Sequence, residues 1–311
     1  MRKTSLQCIY ELAQKDERVI FIGSDLGPGI LADFKENISE RFFMEGISEQ
    51  NIIGMAAGLA FDGFIPYVNT IATFLTRRCF EQLAVDLCMH DLPVRLIANG
   101  GGLVYAPLGP THQAIEDIGI LRTLPNMTIV APCDADEMKR LMDVSLDWPH
   151  PLYIRLAKGG DPIISKPELG FEIGKGIHLK PGDNVLFVTT GITAQRALTA
   201  AQYLADKMID CGVFHMHTIK PFDHEGLMQA AKFAELIVTI EEHVLNGGLG
   251  SAVLEAFSDH GLDKKVVRLG IPDIFAEQYG SQEILMAGFG LDPDNIAKTV
   301  IKHLGRKPSL H

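Results

Sequence analysis

The sequence predicts an α/β protein of two domains, each with a mostly parallel sheet covered by helices on both faces. Three observations lead there. Helix-like and strand-like segments alternate from end to end. The strand-like segments are apolar throughout, as strands buried on both faces are. A stretch rich in glycine and proline, residues 158–184, breaks the alternation once, and the alternation then restarts.

Leu6, Ile9, Tyr10 and Ala13 share one face of a first helix. Residues 19–22 read as a short buried strand, and residues 48–60, rich in alanine and glycine, as a helix. Phe80, Leu83, Ala84 and Leu87 mark another helical face. Residues 94–98, 128–131 and 152–156 are further strands, and Asp134 caps a helix containing Met138, Leu141 and Met142. After the break, residues 185–188, 213–217 and 236–240 read as strands. Ala194, Ala197, Leu198 and Ala201 line a helix, and Gly248 opens another. The expected organisation is a first domain over residues 1–160, a linker over 161–183 and a second domain over 184–311.

The chain has 311 residues, enough for about two domains of ordinary size. At 47% hydrophobic it can bury a substantial core, which excludes global disorder. The net charge of −11 argues against a general nucleic-acid or anionic-membrane binder, which needs a basic face. Trp148 is the only tryptophan, so a sugar platform of stacked tryptophans is not expected. No apolar run is long enough to span a membrane, and the start, Met1-Arg2-Lys3-Thr4-Ser5-Leu6, lacks the apolar core of a signal peptide. The five cysteines form no CxxC pair, so neither a zinc site nor a disulfide framework is indicated. A reduced cytoplasmic protein is the simple expectation.

Several stretches could carry chemistry. In Glu45-Gly46-Ile47-Ser48-Glu49-Gln50-Asn51, Ser48 could cap a helix whose dipole Glu49 favours, or Glu49 could be a carboxylate held in a partly apolar crevice. Gly109-Pro110-Thr111-His112-Gln113 reads as a turn with Thr111 capping the next helix, or as a site for a catalytic histidine. Residues 70–78 read as a strand-to-helix join with Phe74 in the core. Gly247-Gly248-Leu249-Gly250, after Glu241-Glu242-His243, could cradle a phosphate or serve packing alone. Arg155 lies near the end of a strand, the edge that commonly faces a ligand in α/β sheets. His215 and His217 suit a core or interface, and Cys79 and Cys88 suit packing.

Taken together and in this order, these motifs resemble the thiamine-diphosphate-dependent transketolase family. The likeness runs nearly the whole chain and matches the pyrimidine-binding and C-terminal domains of a transketolase. The run 45–50 also looks like the beta subunit of 2-oxo-acid dehydrogenases. Leu269-Gly270-Ile271-Pro272-Asp273 through Gly288-Phe289-Gly290-Leu291-Asp292 looks like the tail of 1-deoxyxylulose-5-phosphate synthase. The resemblance implies that Glu49 hydrogen-bonds the cofactor's aminopyrimidine ring and so drives its activation, a general acid/base role. It implies that Phe74 lines the pyrimidine pocket, with Arg77 and Asp25 also on the cofactor. His112 would reach substrate oxygens, and Arg2 and Arg155 would grip a substrate phosphate.

The family's diphosphate-binding half carries a Gly-Asp-Gly motif that helps hold magnesium, and this chain has none. The resemblance therefore implies a split enzyme. An alpha subunit would supply the magnesium ligands, and this chain would form a homodimer within a heterotetramer. Leu108, Gly100 and Gly29 stand where sugar-phosphate enzymes have an aspartate, a histidine and a serine. Donor and acceptor thus stay open, a modified, nucleotide-linked or branched sugar among them. The expectation is a beta subunit moving a two-carbon ketol unit from a ketose to an aldose. The alternatives are a 2-oxo-acid decarboxylating subunit, of the dehydrogenase or deoxyxylulose-synthase kind, and a non-catalytic scaffold.

Overall fold

The computed structural model describes residues 1–24, 29 and 31–305. The first part of the chain runs α1 (Arg2–Lys15), β1 (Val19–Gly23), α2 (Ala32–Asn37), β2 (Phe42–Met44), α3 (Glu49–Phe61), β3 (Ile65–Ile71) and α4 (Ala72–Thr76). It continues through α5 (Phe80–Gln82), β4 (Arg95–Asn99), α6 (Asp117–Arg122), β5 (Thr128–Val130), α7 (Ala135–Ser145) and β6 (Leu152–Leu156). The second part runs β7 (Ile177–Lys180), β8 (Val185–Thr189), α8 (Thr193–Ala205), β9 (Cys211–His215), β10 (Thr218–Lys220) and α9 (His224–Ala230). It ends with β11 (Leu236–Val244), α10 (Leu249–Asp259), β12 (Val266–Ile271), α11 (Gln282–Gly288) and α12 (Pro293–His303).

Two sheets result, ordered β10-β5-β6-β4-β3-β1-β2 and β12-β11-β8-β9-β7. Every pairing is parallel except at two edges, where β10 meets β5 and β7 meets β9 antiparallel. Strands β1, β4, β6, β8 and β9 are buried along their whole length, the burial that largely apolar sequences call for, although β4, β6 and β9 also bury Arg95, Arg155 and His215. Helices α1, α7, α8 and α12 pack on one apolar cluster, and α3, α9 and α10 on the other.

The helix expectations hold at α1, α3, α7, α8 and α10, and Asp134 caps α7 by accepting from the Asp136 and Glu137 amides. Four readings are corrected. The stretch read as linker contains β7, because Ile177 turns inward and pairs with His215. The strand expected at 213–217 ends at His215, and the chain crosses into the first sheet as β10, so the two units share a sheet. Ser48 occupies the cap position of α3, but its hydroxyl donates to the Glu45 carbonyl instead of capping. Thr111 caps nothing: its hydroxyl contacts His112 Nδ1, and Glu116 stands at the start of α6.

The parallel strands β1, β3, β4 and β6 end on one edge of the large sheet, and the helices that follow strands begin there. That edge carries a buried polar seam. Ser24 Oγ meets Thr70 Oγ1 at 2.5 Å, and Asn99 Nδ2 donates to Asn69 Oδ1 at 2.7 Å. Such carboxyl edges are where open α/β sheets bind ligands.

Candidate active site

Glu49 is the first residue of α3, and only 2% of its surface is exposed. A carboxylate tolerates that burial at a helix start, where free amides and the dipole favour negative charge. One oxygen, Oε2, accepts from Arg78 Nη1 at 2.5 Å; Oε1 accepts nothing among the described residues.

Arg78 also lies over the ring of Phe74, with the guanidinium carbon 4.3 Å from the ring centroid. Phe74 is in α4 and Arg78 four positions on, in the turn that follows it, where their side chains meet. On another side Phe74 meets the His112 ring edge-on, at 5.2 Å between centroids. Phe74 is half-buried and stands outside both apolar clusters, contrary to the core position expected for it. Glu49, Arg78, Phe74 and His112 thus form one contiguous row.

His112 sits in the loop after β4. Arg77 holds that loop by donating to the Gln113 carbonyl at 2.9 Å and the Pro110 carbonyl at 3.4 Å, and it pairs with Glu116. Arg77 therefore shapes the loop that carries His112, and its head group is engaged there. Two buried polar side chains nearby in sequence have no partner among the described residues: the Thr73 hydroxyl and both heteroatoms of Gln113.

The row fits an aminopyrimidine. The Arg78 guanidinium is itself a planar cationic N–H donor, and it already makes two contacts that such a ring makes: a face on Phe74 and an N–H bond to Glu49. Glu49 Oε1 remains as a second acceptor. Magnesium is a different matter. Among the described residues, the group of three metal-type side chains within 4.8 Å is Cys133, Glu137 and His215. These are buried and include a thiol and an imidazole, whereas magnesium takes oxygen ligands.

The structure does not bring all the expected residues together. Asp25 lies outside the described residues. Arg2 is exposed at the start of α1. Arg155 is corrected most clearly: it points inward, Nε and Nη2 bonding both carboxylate oxygens of buried Asp117 at 2.8 and 3.1 Å. Nη2 also donates to the Ala114 and Glu242 carbonyls, both at 2.9 Å, so the guanidinium ties the two units together instead of facing an anion. Gly29 and Leu108 are exposed, and the Tyr105 ring fills the space that any side chain at Gly100 would need.

The glycine-rich start of α10 is no phosphate cradle. The Glu241 carboxylate occupies it, accepting from the Leu249 amide at 2.7 Å and the Gly250 amide at 2.8 Å. A side chain on Gly248 would collide with that carboxylate, which accounts for the glycine. His215 and His217 are fully buried, as expected of core residues. His215 Nε2 meets Glu137 Oε2 at 3.1 Å, and Glu137 also accepts from the Cys133 amide and Ser165 hydroxyl. Burial alone would raise the Glu137 carboxyl, but the facing His215 imidazole and these bonds hold it well below the usual carboxylate range.

Reading the sequence missed Arg78, Asp117, Glu242 and Tyr279. Arg78 carried a signal, its place four positions after Phe74. Asp117 and Glu242 carried none, because their partners lie far away in the chain.

Comparison with known proteins agrees with this architecture. Residues 1–160 match the transketolase pyrimidine-binding domain and residues 174–296 the transketolase C-terminal domain. The chain is 35% identical to one of the subunits of the apulose-4-phosphate transketolase of Phocaeicola vulgatus, covering 97% of this chain and 96% of that protein. It is 40% identical to 1-deoxy-D-xylulose-5-phosphate synthase 1 of Geobacter sulfurreducens, of which it spans 47%. Among solved structures, a split gene transketolase, described as an inactive beta4 tetramer, superimposes with a TM-score of 0.88 at 36% identity, with 98% of each chain covered. With its two domains matched and relatives aligned along its whole length, this chain belongs to the transketolase family.

Proposed function

We propose that this chain is the beta subunit of a split, thiamine-diphosphate-dependent transketolase that moves a two-carbon ketol unit from a ketose to an aldose. The observation that carries the reading is the row of Glu49, Phe74 and His112 on one sheet edge, with Glu49 buried and one of its oxygens without a partner among the described residues. When bound, thiamine diphosphate supplies the nucleophilic carbon that makes and breaks the carbon–carbon bond. Glu49 accepts a hydrogen bond from the pyrimidine ring at Oε1 and steers the proton balance of that ring. Phe74 gives the ring an apolar wall. His112 donates to substrate oxygens at the open side, held in place by Arg77.

The diphosphate and its magnesium are held by an alpha subunit, which supplies the Gly-Asp-Gly motif that this chain lacks. The assembly is a heterotetramer with this chain paired to a second copy. No described helix is long and apolar enough to cross a membrane, and the five free cysteines suit a cytoplasmic compartment.

The test combines this chain with the protein that supplies the diphosphate-binding half, adds cofactor and magnesium, and screens ketose donors with and without phosphate. Ketol transfer that needs both chains, and that Glu49→Gln abolishes while assembly persists, supports the reading. Full activity in Glu49→Gln overturns the chemistry. Release of carbon dioxide from a 2-oxo acid would favour the decarboxylating reading, to which the 40% identity with the Geobacter synthase lends weight.

A further inference from the structure

The loop that carries His112 is gripped from the C-terminal domain as well as from its own. At its base, Gly102 and Ala114 exchange backbone hydrogen bonds at 2.8 and 3.0 Å. There the buried Glu242 of β11 reaches across, and its Oε1 accepts from the Leu103 amide at 2.8 Å and from Gln282 Nε2 at 2.7 Å. The carboxylate lies so close that a side chain on Gly102 would collide with it, and Gly102 also has a positive φ of 66°. At the crest, the Tyr279 ring lies against Gly109, three residues before His112. A Cβ on Gly109 would stand 3.2 Å from Tyr279 Cε1 and 3.2 Å from its Oη. Tyr279 is nevertheless 72% exposed, and Leu108 beside the contact is 53% exposed. A buried carboxylate reaching across to a loop amide and an exposed tyrosine resting on a glycine make little sense as core packing. They make sense as two clips on one loop.

We propose that Glu242 and Tyr279 are positioning residues: through them the C-terminal domain sets where His112 stands over the substrate. The activity consequence rests on the ketol-transfer reading; the loop consequence does not. A misplacement of about 1 Å at a reacting group can cost about 100-fold in rate, and an interaction made only in the transition state lowers kcat and kcat/KM together.

The test uses Tyr279→Ala, an exposed site where folding is not at risk, and Tyr279→Phe, which keeps the ring. In the full complex, Tyr279→Ala is expected to lower kcat and kcat/KM by about 10- to 100-fold, with cofactor Kd and melting temperature unchanged. Tyr279→Phe should restore kcat to about wild type. Amide exchange over residues 103–112 should quicken in Tyr279→Ala and leave β4 and α3 as they were. Unchanged exchange, or quickened exchange with unchanged kcat, overturns the proposal. If the wild-type complex transfers no ketol unit from any donor, the functional reading has failed. The exchange experiment then decides alone whether the C-terminal domain holds the loop.

Discussion

Arg78 closes its guanidinium onto Glu49 Oε2 at 2.5 Å while lying 4.3 Å over the Phe74 ring, so one cation covers the ring face that a pyrimidine would use and leaves it the other Glu49 oxygen. Glu49 is buried, but Arg78 is 41% exposed, lies in the turn between α4 and α5, and can swing into solvent. Cofactor entry therefore displaces the cation–π contact, while Glu49 Oε1 stays available to the ring. For a cation–π contact of an arginine this exposed, the loss is about 1 kcal/mol, or about fivefold in Kd. Arg78→Ala should bind thiamine diphosphate about fivefold more tightly than wild type in the assembled enzyme, measured by titration at fixed magnesium. Weaker binding would show that Arg78 touches the cofactor instead of making way for it.

Arg77 differs from its neighbour in that its head group is spent on the 110–113 backbone and on Glu116. Arg77→Met keeps the apolar stem and removes every donor. The expected result is a fall in kcat of about tenfold with cofactor affinity preserved, because Glu49 and Phe74 stay in place. A large loss of cofactor affinity with normal kcat at saturation would assign Arg77 to the cofactor directly.

The Asp117–Arg155 pair makes a stability prediction. Both groups are buried, Tyr153 donates its hydroxyl to Asp117 at 2.7 Å, and Arg155 bridges to the Glu242 carbonyl of the other unit. Removing one charge from such a pair strands the other and costs about 3–5 kcal/mol. Asp117→Asn and Arg155→Met should each destabilise by that order in urea unfolding, and the double variant by clearly less than the sum. Simple additivity would mean that the two charges act independently.

What could be read in advance follows from burial. Strands such as β1 and β8 are almost wholly apolar because both faces are covered, so their sequences alone announce them. The edge strands β7 and β10 were missed because three or four residues with only partial burial leave no pattern. The row of Glu49, Phe74 and His112 was legible because each stands in a short, distinctive run. The fate of Arg155 was not. Its position at a strand end pointed to a ligand, but Asp117, 38 positions away, takes it, and only folding brings the two together. The same holds for Glu242, whose amide partner Leu103 is 139 positions away.

Several buried groups shape the acid side of the stability curve, and two of them, His217 and Glu241, oppose each other. Burial pushes the His217 imidazole down to about 4, so in the folded protein it stays neutral well below the pH at which the unfolded chain's histidine charges. Between about pH 6.5 and 4 the unfolded state holds the extra proton, and His217 makes stability fall as pH falls. Burial pushes Glu241 up to about 7, against the pull of its two amide bonds. Between about pH 4.5 and 7 the folded state holds the extra proton there, and Glu241 makes stability fall as pH rises. Each slope is about 1.4 kcal/mol per pH unit. From about pH 4.5 to 6.5 they nearly cancel, so the wild type should show a flat stability plateau. His217→Gln should tilt that plateau downward with rising pH, and Glu241→Gln should tilt it upward. Below about pH 4.5 the low-lying Glu137 carboxyl takes over, and stability should drop as its pairing with His215 is lost. Urea unfolding at half-unit pH intervals reads all three. A plateau that neither variant tilts would mean that neither group keeps its shifted protonation in the folded protein.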